Sequence, residues 1–388
     1  MRDKLALIQK CMDRAVAERE LAGVSALLIQ DGTEKFFLKS GYADEEDKVP
    51  IERNTIFHLY SQSKPITAAA MMLLVQDGIV DLCEPVGKYI DSFNDQEYLD
   101  ENGKKHKVPE DKKMRIFELM NMTSGLVYPG VNSEAEKETG VLFDELIDRL
   151  SSDNQMSTLE FAEKLGKLPL NFLPGSHWQY GTSADILGAV IEKASGMKYS
   201  EFLKERLFDP LEMVDTAFFV PDEKKPRLAH AYQAKGNDLE EYKGNNLGIR
   251  NNGGVNAFES GGAGLFSTLD DYSHFARMLI DDGVYRGKVI LTESAVKFLT
   301  TGKLLDYQQK DLWNWRGLEG HTYGNLMRVM DDPKQALILG NKGEYGWDGW
   351  LGTYFMNDPS TKTTFLMMTQ KADYGTGNVT RRIRNIFM

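Results

Sequence analysis

Ser61 and Lys64, within Ile56-Phe57-His58-Leu59-Tyr60-Ser61-Gln62-Ser63-Lys64-Pro65, put a hydroxyl and an amine three residues apart. On a helix such positions share a face, so the amine can reach the hydroxyl oxygen. A serine hydroxyl is a poor nucleophile near neutral pH until a neighbour takes its proton, and an amine within reach is such a base. The same spacing recurs at Ser195-Gly-Met-Lys198 and Ser294-Ala-Val-Lys297, and context separates the three. Ser195 falls where a helix stops at Gly196. Ser294 lies in a surface helix capped by Thr292. Ser61 alone follows a strand-like apolar run and opens a long helix with a buried face of Ile66, Ala69, Ala70, Leu73 and Leu74, stopped at Gly78. The positive end of that helix favours an anion developing at its start. The plainer role for Ser61 is an N-cap, with Lys64 in solvent.

Acyl transfer also needs a second proton carrier and donors for an oxyanion. Tyr180 stands in Leu173-Pro174-Gly175-Ser176-His177-Trp178-Gln179-Tyr180-Gly181-Thr182-Ser183, a loop bracketed by Pro and Gly just before a helix. The ordinary role for such a tyrosine is amphipathic packing. Gly343-Glu344-Tyr345-Gly346-Trp347-Asp348-Gly349-Trp350-Leu351-Gly352-Thr353 opens a strand dense in glycine and aromatics, where glycine lets a substrate approach the backbone.

At 388 residues the chain exceeds one simple core, and a formal charge of −12 argues against nucleic acid as a partner. No apolar run approaches the ~20 residues of a membrane span, and the first ten residues lack a signal-peptide core, so the expected location is cytoplasmic. Two cysteines, Cys11 and Cys83, have no metal-type spacing and read as buried free thiols. The six histidines include no metal-binding spacing, no Gly-x-Ser-x-Gly elbow occurs, and no Gly-Lys pair continues as a phosphate loop. No metal or cofactor is called for.

A helix over 3–20, strands at Val24–Gln30 and Glu34–Ser40, further strands at Gln335–Leu339, Trp350–Asn357 and Thr363–Gln370, and a last helix from Gly377 frame the chain. That last helix carries Arg381, Arg382 and Arg384 as a solvated face. Helices are expected at Arg115–Met122, Thr158–Leu165, Ser183–Ala194 and Ser200–Leu207, with an exposed excursion at Asn94–Lys113. The fold class is mixed α/β (α+β), an antiparallel sheet flanked by terminal helices with a large, mainly helical insertion. The expected regions are 1–80 with 260–388, and 81–259 between them, with a site in the cleft.

Ser-x-x-Lys, Tyr180 and the Gly-rich third segment, in that order, resemble the serine β-lactamase and penicillin-binding-protein family, specifically its class C branch and the esterases on that fold. Gly41-Tyr42-Ala43-Asp44, Asn121-Met122-Thr123-Ser124-Gly125-Leu126, Gly261-Gly262-Ala263-Gly264-Leu265-Phe266-Ser267-Thr268 and Asp358-Pro359 extend the likeness over nearly the whole chain. The resemblance implies Ser61 as acylated nucleophile, Lys64 as proton acceptor and Tyr180 as partner base and acid. It also implies the backbone N–H groups of Ser61 and Trp350 as oxyanion donors, each worth about 3 kcal/mol. Lys64 must then be neutral, which takes about 4 kcal/mol of environmental work if its pKa falls by about 3. Which of Lys64 and Tyr180 is the main base stays open.

The departures from the β-lactamase pattern point to esters. Thr182 replaces the asparagine that contacts a substrate amide, and Trp347-Asp348-Gly349 replaces Lys-Thr-Gly, whose lysine pairs with a substrate carboxylate. Asp348 would repel such an anion if it faced the cleft. The main reading is a carboxylesterase for short or medium acyl esters, with Trp347 shaping an apolar pocket and Thr182, Asp348, Gly349 and Tyr128 as further substrate contacts. The alternatives are a β-lactamase or D-amino-acid peptidase, an acyltransferase, and a non-catalytic binding module.

Overall fold

Both ends of the chain build one sheet. A computed structural model describes residues 2–388. Helix α1 (Arg2–Ala17) leads into strands β1 (Gly23–Gln30), β2 (Thr33–Asp44) and β3 (Val49–Pro50); β4 (Ile56–His58) and α2 (Lys64–Gln76) follow. The middle carries hairpin β5 (Glu97–Leu99) and β6 (Lys105–Lys107), then helices α3 (Ile116–Met120), α4 (Glu134–Arg149), α5 (Thr158–Leu165), α6 (Ser183–Ser195) and α7 (Tyr199–Leu203). After hairpin β7 (Tyr232–Lys235) and β8 (Asp238–Glu241) come β9 (Phe266–Thr268), α8 (Leu269–Ile280), the small pair β10 (Val284–Tyr285) and β11 (Lys288–Val289), α9 (Glu293–Leu299) and α10 (Asp306–Trp313). Strands β12 (His321–Gly324), β13 (Met327–Met330), β14 (Tyr345–Asp348), β15 (Tyr354–Asp358) and β16 (Thr363–Thr369) and helix α11 (Asn378–Phe387) close the chain.

The antiparallel sheet runs β12-β13-β14-β15-β16-β1-β2-β3, so β1 lies beside β16 with Leu27 opposite Leu366. Alternation along β1 divides its side chains between two layers. Val24, Ala26 and Leu28 meet Ile8, Met12, Val379 and Ile383 of the terminal helices, whereas Leu27 and Ile29 join the core around α2 and α8. Covering both faces explains why β1 is buried almost throughout.

Several expectations are corrected. Gln335–Leu339 is no strand: Asp332 turns the chain there, accepting from Lys334 N at 3.0 Å, and Leu337 and Leu339 are exposed. Strands β12 and β13 escaped notice because Asn325 and Leu326 make their turn at positive φ without glycine. The third segment opens β14 at Tyr345 and then turns, so the strand expected from Trp350 starts only at Tyr354 as β15. Helices α4, α8 and α10 were not foreseen. Helix α7 ends at Leu203 and continues as one π-helical turn over Lys204–Phe208. Cys83 is exposed and Cys11 half-buried, both free. Arg384 is not solvated: it is completely buried and forks onto Glu344 with two 2.7 Å contacts, and donates to Tyr354 Oη at 2.6 Å. That pair pins the residue before β14 to the last helix. Among the described residues no helix is long and apolar enough to cross a membrane.

Candidate active site

Strand β4 pairs with β9, Phe57 opposite Ser267, and delivers the chain to a tight turn. Tyr60 takes φ +45° there, its buried ring edge-on to Trp350 at 5.0 Å. A 3-10 turn over Tyr60–Ser63 then runs into α2, so Ser61 sits just before the helix and not at its first residue. Three residues per turn aligns Ser61 with Lys64 more closely than an α-helix would.

The third segment clamps this turn. Thr353 Oγ1 donates to Leu59 O at 3.0 Å, and a Cβ on Gly349 would stand 2.2 Å from that carbonyl. Any side chain at Gly349 would therefore displace the turn that carries Ser61, so Gly349 acts through close packing. Gly181 serves the second loop in the same way, since a Cβ there would lie 2.1 Å from Leu126 O. With the two loops in contact, the Tyr128 and Tyr180 rings approach to 5.7 Å.

Lys64 Nζ has three polar neighbours: Gly262 O at 2.8 Å, Tyr128 Oη at 3.0 Å and Ser61 Oγ at 3.1 Å. It also lies 4.6 Å from the Tyr180 ring centre. Lys64 is completely buried, not solvated as an N-cap arrangement would have it. Burial pushes its pKa down to about 7, against the upward pull of Asp185 and Asp348. Burial pushes Tyr180 up, opposed by side-chain hydrogen bonds with Ser61 and with Trp347, whose Nε1 donates to Tyr180 Oη at 3.0 Å. Tyr128 is likewise driven up by burial.

Ser61, Lys64, Tyr128, Tyr180 and Trp347 thus converge, and the remaining sequence candidates are placed differently. Thr182 is buried at the N-cap of α6, its hydroxyl donating to Val127 O at 3.3 Å. Asp348 accepts from Arg328 Nη1 at 3.0 Å, so it presents a compensated charge. Burial raises its pKa while Arg328 lowers it. Trp350 lies in the turn between β14 and β15, its ring on Tyr60 and its Nε1 donating to Asp373 at 2.7 Å. His177 is exposed beside Asp311, at 3.0 Å. Among the described residues no cluster of three or more His, Cys, Asp or Glu could hold a metal.

Three residues escaped the sequence reading. Asp185, buried under Lys64, accepts from Ser260 Oγ at 2.5 Å and from Gly262 N at 3.1 Å, so one glycine contacts both Asp185 and Lys64. Its signal was a lone acid in the apolar run Ala184–Ile191. Arg328, in Met327-Arg328-Val329-Met330, was a similar charge among apolar neighbours. Trp315 gave no signal; its ring stands edge-on to Tyr180 at 5.0 Å.

A mixed α/β fold of this topology, with a serine, a buried lysine and a tyrosine in contact at the start of its central helix, defines a serine hydrolase. A family model described as beta-lactamase matches residues 8–386, and the chain belongs to that family. Esterase EstB of Burkholderia gladioli is 28% identical over 98% of this chain and 94% of its own. Lovastatin esterase of Penicillium rubens is 28% identical over 79% and 74%. Among solved structures, EstCE1, a hydrolase with promiscuous acyltransferase activity, superposes with a TM-score of 0.83 over 99% of this chain and 98% of its own, at 22% identity.

Proposed function

We propose that the protein is a carboxylesterase that works through an acyl-enzyme on Ser61. The observation that carries this reading is the environment of Lys64 Nζ. A neutral amine has two N–H donors and one lone pair. Gly262 O and Tyr128 Oη take the donors, leaving the lone pair for the Ser61 hydroxyl proton. Lys64 is then the base and Tyr180, held as a phenol, relays the proton to the departing alkoxide. Ser61 Oγ bonds to the acyl carbon, the carbon–alkoxide bond breaks, and the alcohol leaves carrying the proton. Water repeats the sequence to release the acid. The N–H groups of Ser61 and Trp350 hold the oxyanion. The cleft lies between the sheet-bearing region of 1–80 and 260–388, which supplies Ser61, Lys64 and Trp347, and the mainly helical 81–259, which supplies Tyr128 and Tyr180.

Esters are favoured over penicillins because a tryptophan stands where a lysine would meet a substrate carboxylate, and because Arg328 is neutralised by Asp348. The names of EstB and lovastatin esterase agree with that preference. The test is p-nitrophenyl butyrate against nitrocefin: ester turnover with a burst of p-nitrophenol is expected to exceed nitrocefin turnover. The reverse order, or equal rates for wild type and Ser61→Ala, would contradict the reading.

A base that titrates near 7 is protonated below that pH and cannot accept the serine proton. The acid limb of kcat/KM is accordingly expected near pH 7. Lys64 is faced by Asp185, Asp348 with Arg328 behind it, Tyr128 and Tyr180. Asp185→Asn keeps an acceptor oxygen for Ser260 and Gly262 but deletes a charge that favours protonated Lys64. The limb should move to lower pH by about 1 unit. A limb that stays in place, or moves up, would exclude Lys64 as the titrating base.

A further inference from the structure

Helix α10 is bound to the loop that carries Tyr180. Gln308 Nε2 and Tyr307 Oη donate to Gly175 O at 2.8 and 3.1 Å, and Asp311 accepts from Trp178 N at 3.1 Å. Beyond its C-terminus the chain turns tightly, with Trp315 N on Leu312 O at 3.0 Å and Leu318 N on Trp315 O at 3.1 Å. This anchoring holds Trp315, 42% exposed, over the Tyr180 ring, with Trp347 at 6.1 Å closing the corner. An indole left in water beside a reacting phenol is apolar surface that a ligand can cover.

The side of the substrate it covers follows from the proton path. Tyr180 delivers its proton to the alkoxide oxygen, so the group attached to that oxygen begins beside the Tyr180 phenol. Lys64, completely buried, lies 4.6 Å from the centre of that ring, whereas Trp315, edge-on to it at 5.0 Å, is exposed to solvent. We propose that Trp315, backed by the buried Trp347, forms the wall of the leaving-group pocket and selects esters of aromatic alcohols. This rests on the carboxylesterase reading of Ser61, Lys64 and Tyr180. Because the same pocket would receive an attacking alcohol in the reverse step, aromatic alcohols should also be the preferred acyl acceptors.

Ethyl, benzyl and naphthylmethyl acetates share one acetyl-enzyme, so differences among them report the alcohol side alone. In Trp315→Ala the preference for benzyl over ethyl acetate, as a ratio of kcat/KM, is expected to fall about tenfold, with the loss in the acylation rate. Trp315→Phe should keep most of that preference, which separates an aromatic wall from a folding defect. A ratio within twofold of wild type, or a loss that tracks acyl length across ethyl acetate, butyrate and hexanoate, would overturn the proposal. Wild type that forms no acetyl adduct on Ser61 with any ester would overturn the esterase reading and this one with it. An adduct with an unchanged ratio would overturn this one alone.

Discussion

Lys64→Met is expected to lower kcat/KM for a p-nitrophenyl ester by about 10³-fold, as loss of a general base does. Methionine has nearly the length of lysine and suits a completely buried site, so the fold should stand. What disappears is the Nζ lone pair aimed at the Ser61 hydroxyl. Lys64→Arg should be comparably inactive although it keeps the charge, because a guanidinium stays protonated at any pH the enzyme experiences. Loss in both variants isolates basicity from charge. Activity within tenfold of wild type in Lys64→Met would instead make Tyr180 the base, against the upward drive that burial exerts on its phenol.

The largest stability effect is expected at Arg384→Ala, about 3–5 kcal/mol, because it leaves Glu344 buried without its counter-charge. Arg384 also carries Tyr354 Oη and Leu339 O, so one deletion strands three acceptors. The double variant Arg384→Leu with Glu344→Leu should recover much of the loss, since removing both charges removes the desolvation penalty with the attraction. Urea unfolding of the three proteins measures this. An Arg384→Ala midpoint equal to wild type would show that the pair contributes nothing net.

The contrast between Arg384 and Ser61 shows what was legible in the chain. Ser61 and Lys64 are local: two residues three positions apart on one helical turn meet whatever surrounds them. The sheet assembled from the two ends was readable because strand-like apolar runs near both termini are bounded by turns at Asp31-Gly32 and Asp358-Pro359. Arg384 was read as solvated because its partner lies 40 residues away, and nothing in Arg381-Arg382-Ile383-Arg384 marks the inward arginine. Thr182 was assigned by its place in a motif, but its hydroxyl is turned onto Val127 O. Trp315 was invisible for a similar reason, since it reaches Tyr180 only because α10 docks on a loop 133 residues earlier in the chain. Asp185 was legible on physical grounds alone, because a carboxylate inside an apolar helix must find a partner and so points to a charge nearby.

Intact-protein mass after a short exposure to p-nitrophenyl butyrate tests the central claim most directly. A single butyryl adduct is expected, mapped by peptide digestion to Ser61 and absent from Ser61→Ala. An adduct on another residue, or the same adduct in Ser61→Ala, would contradict it.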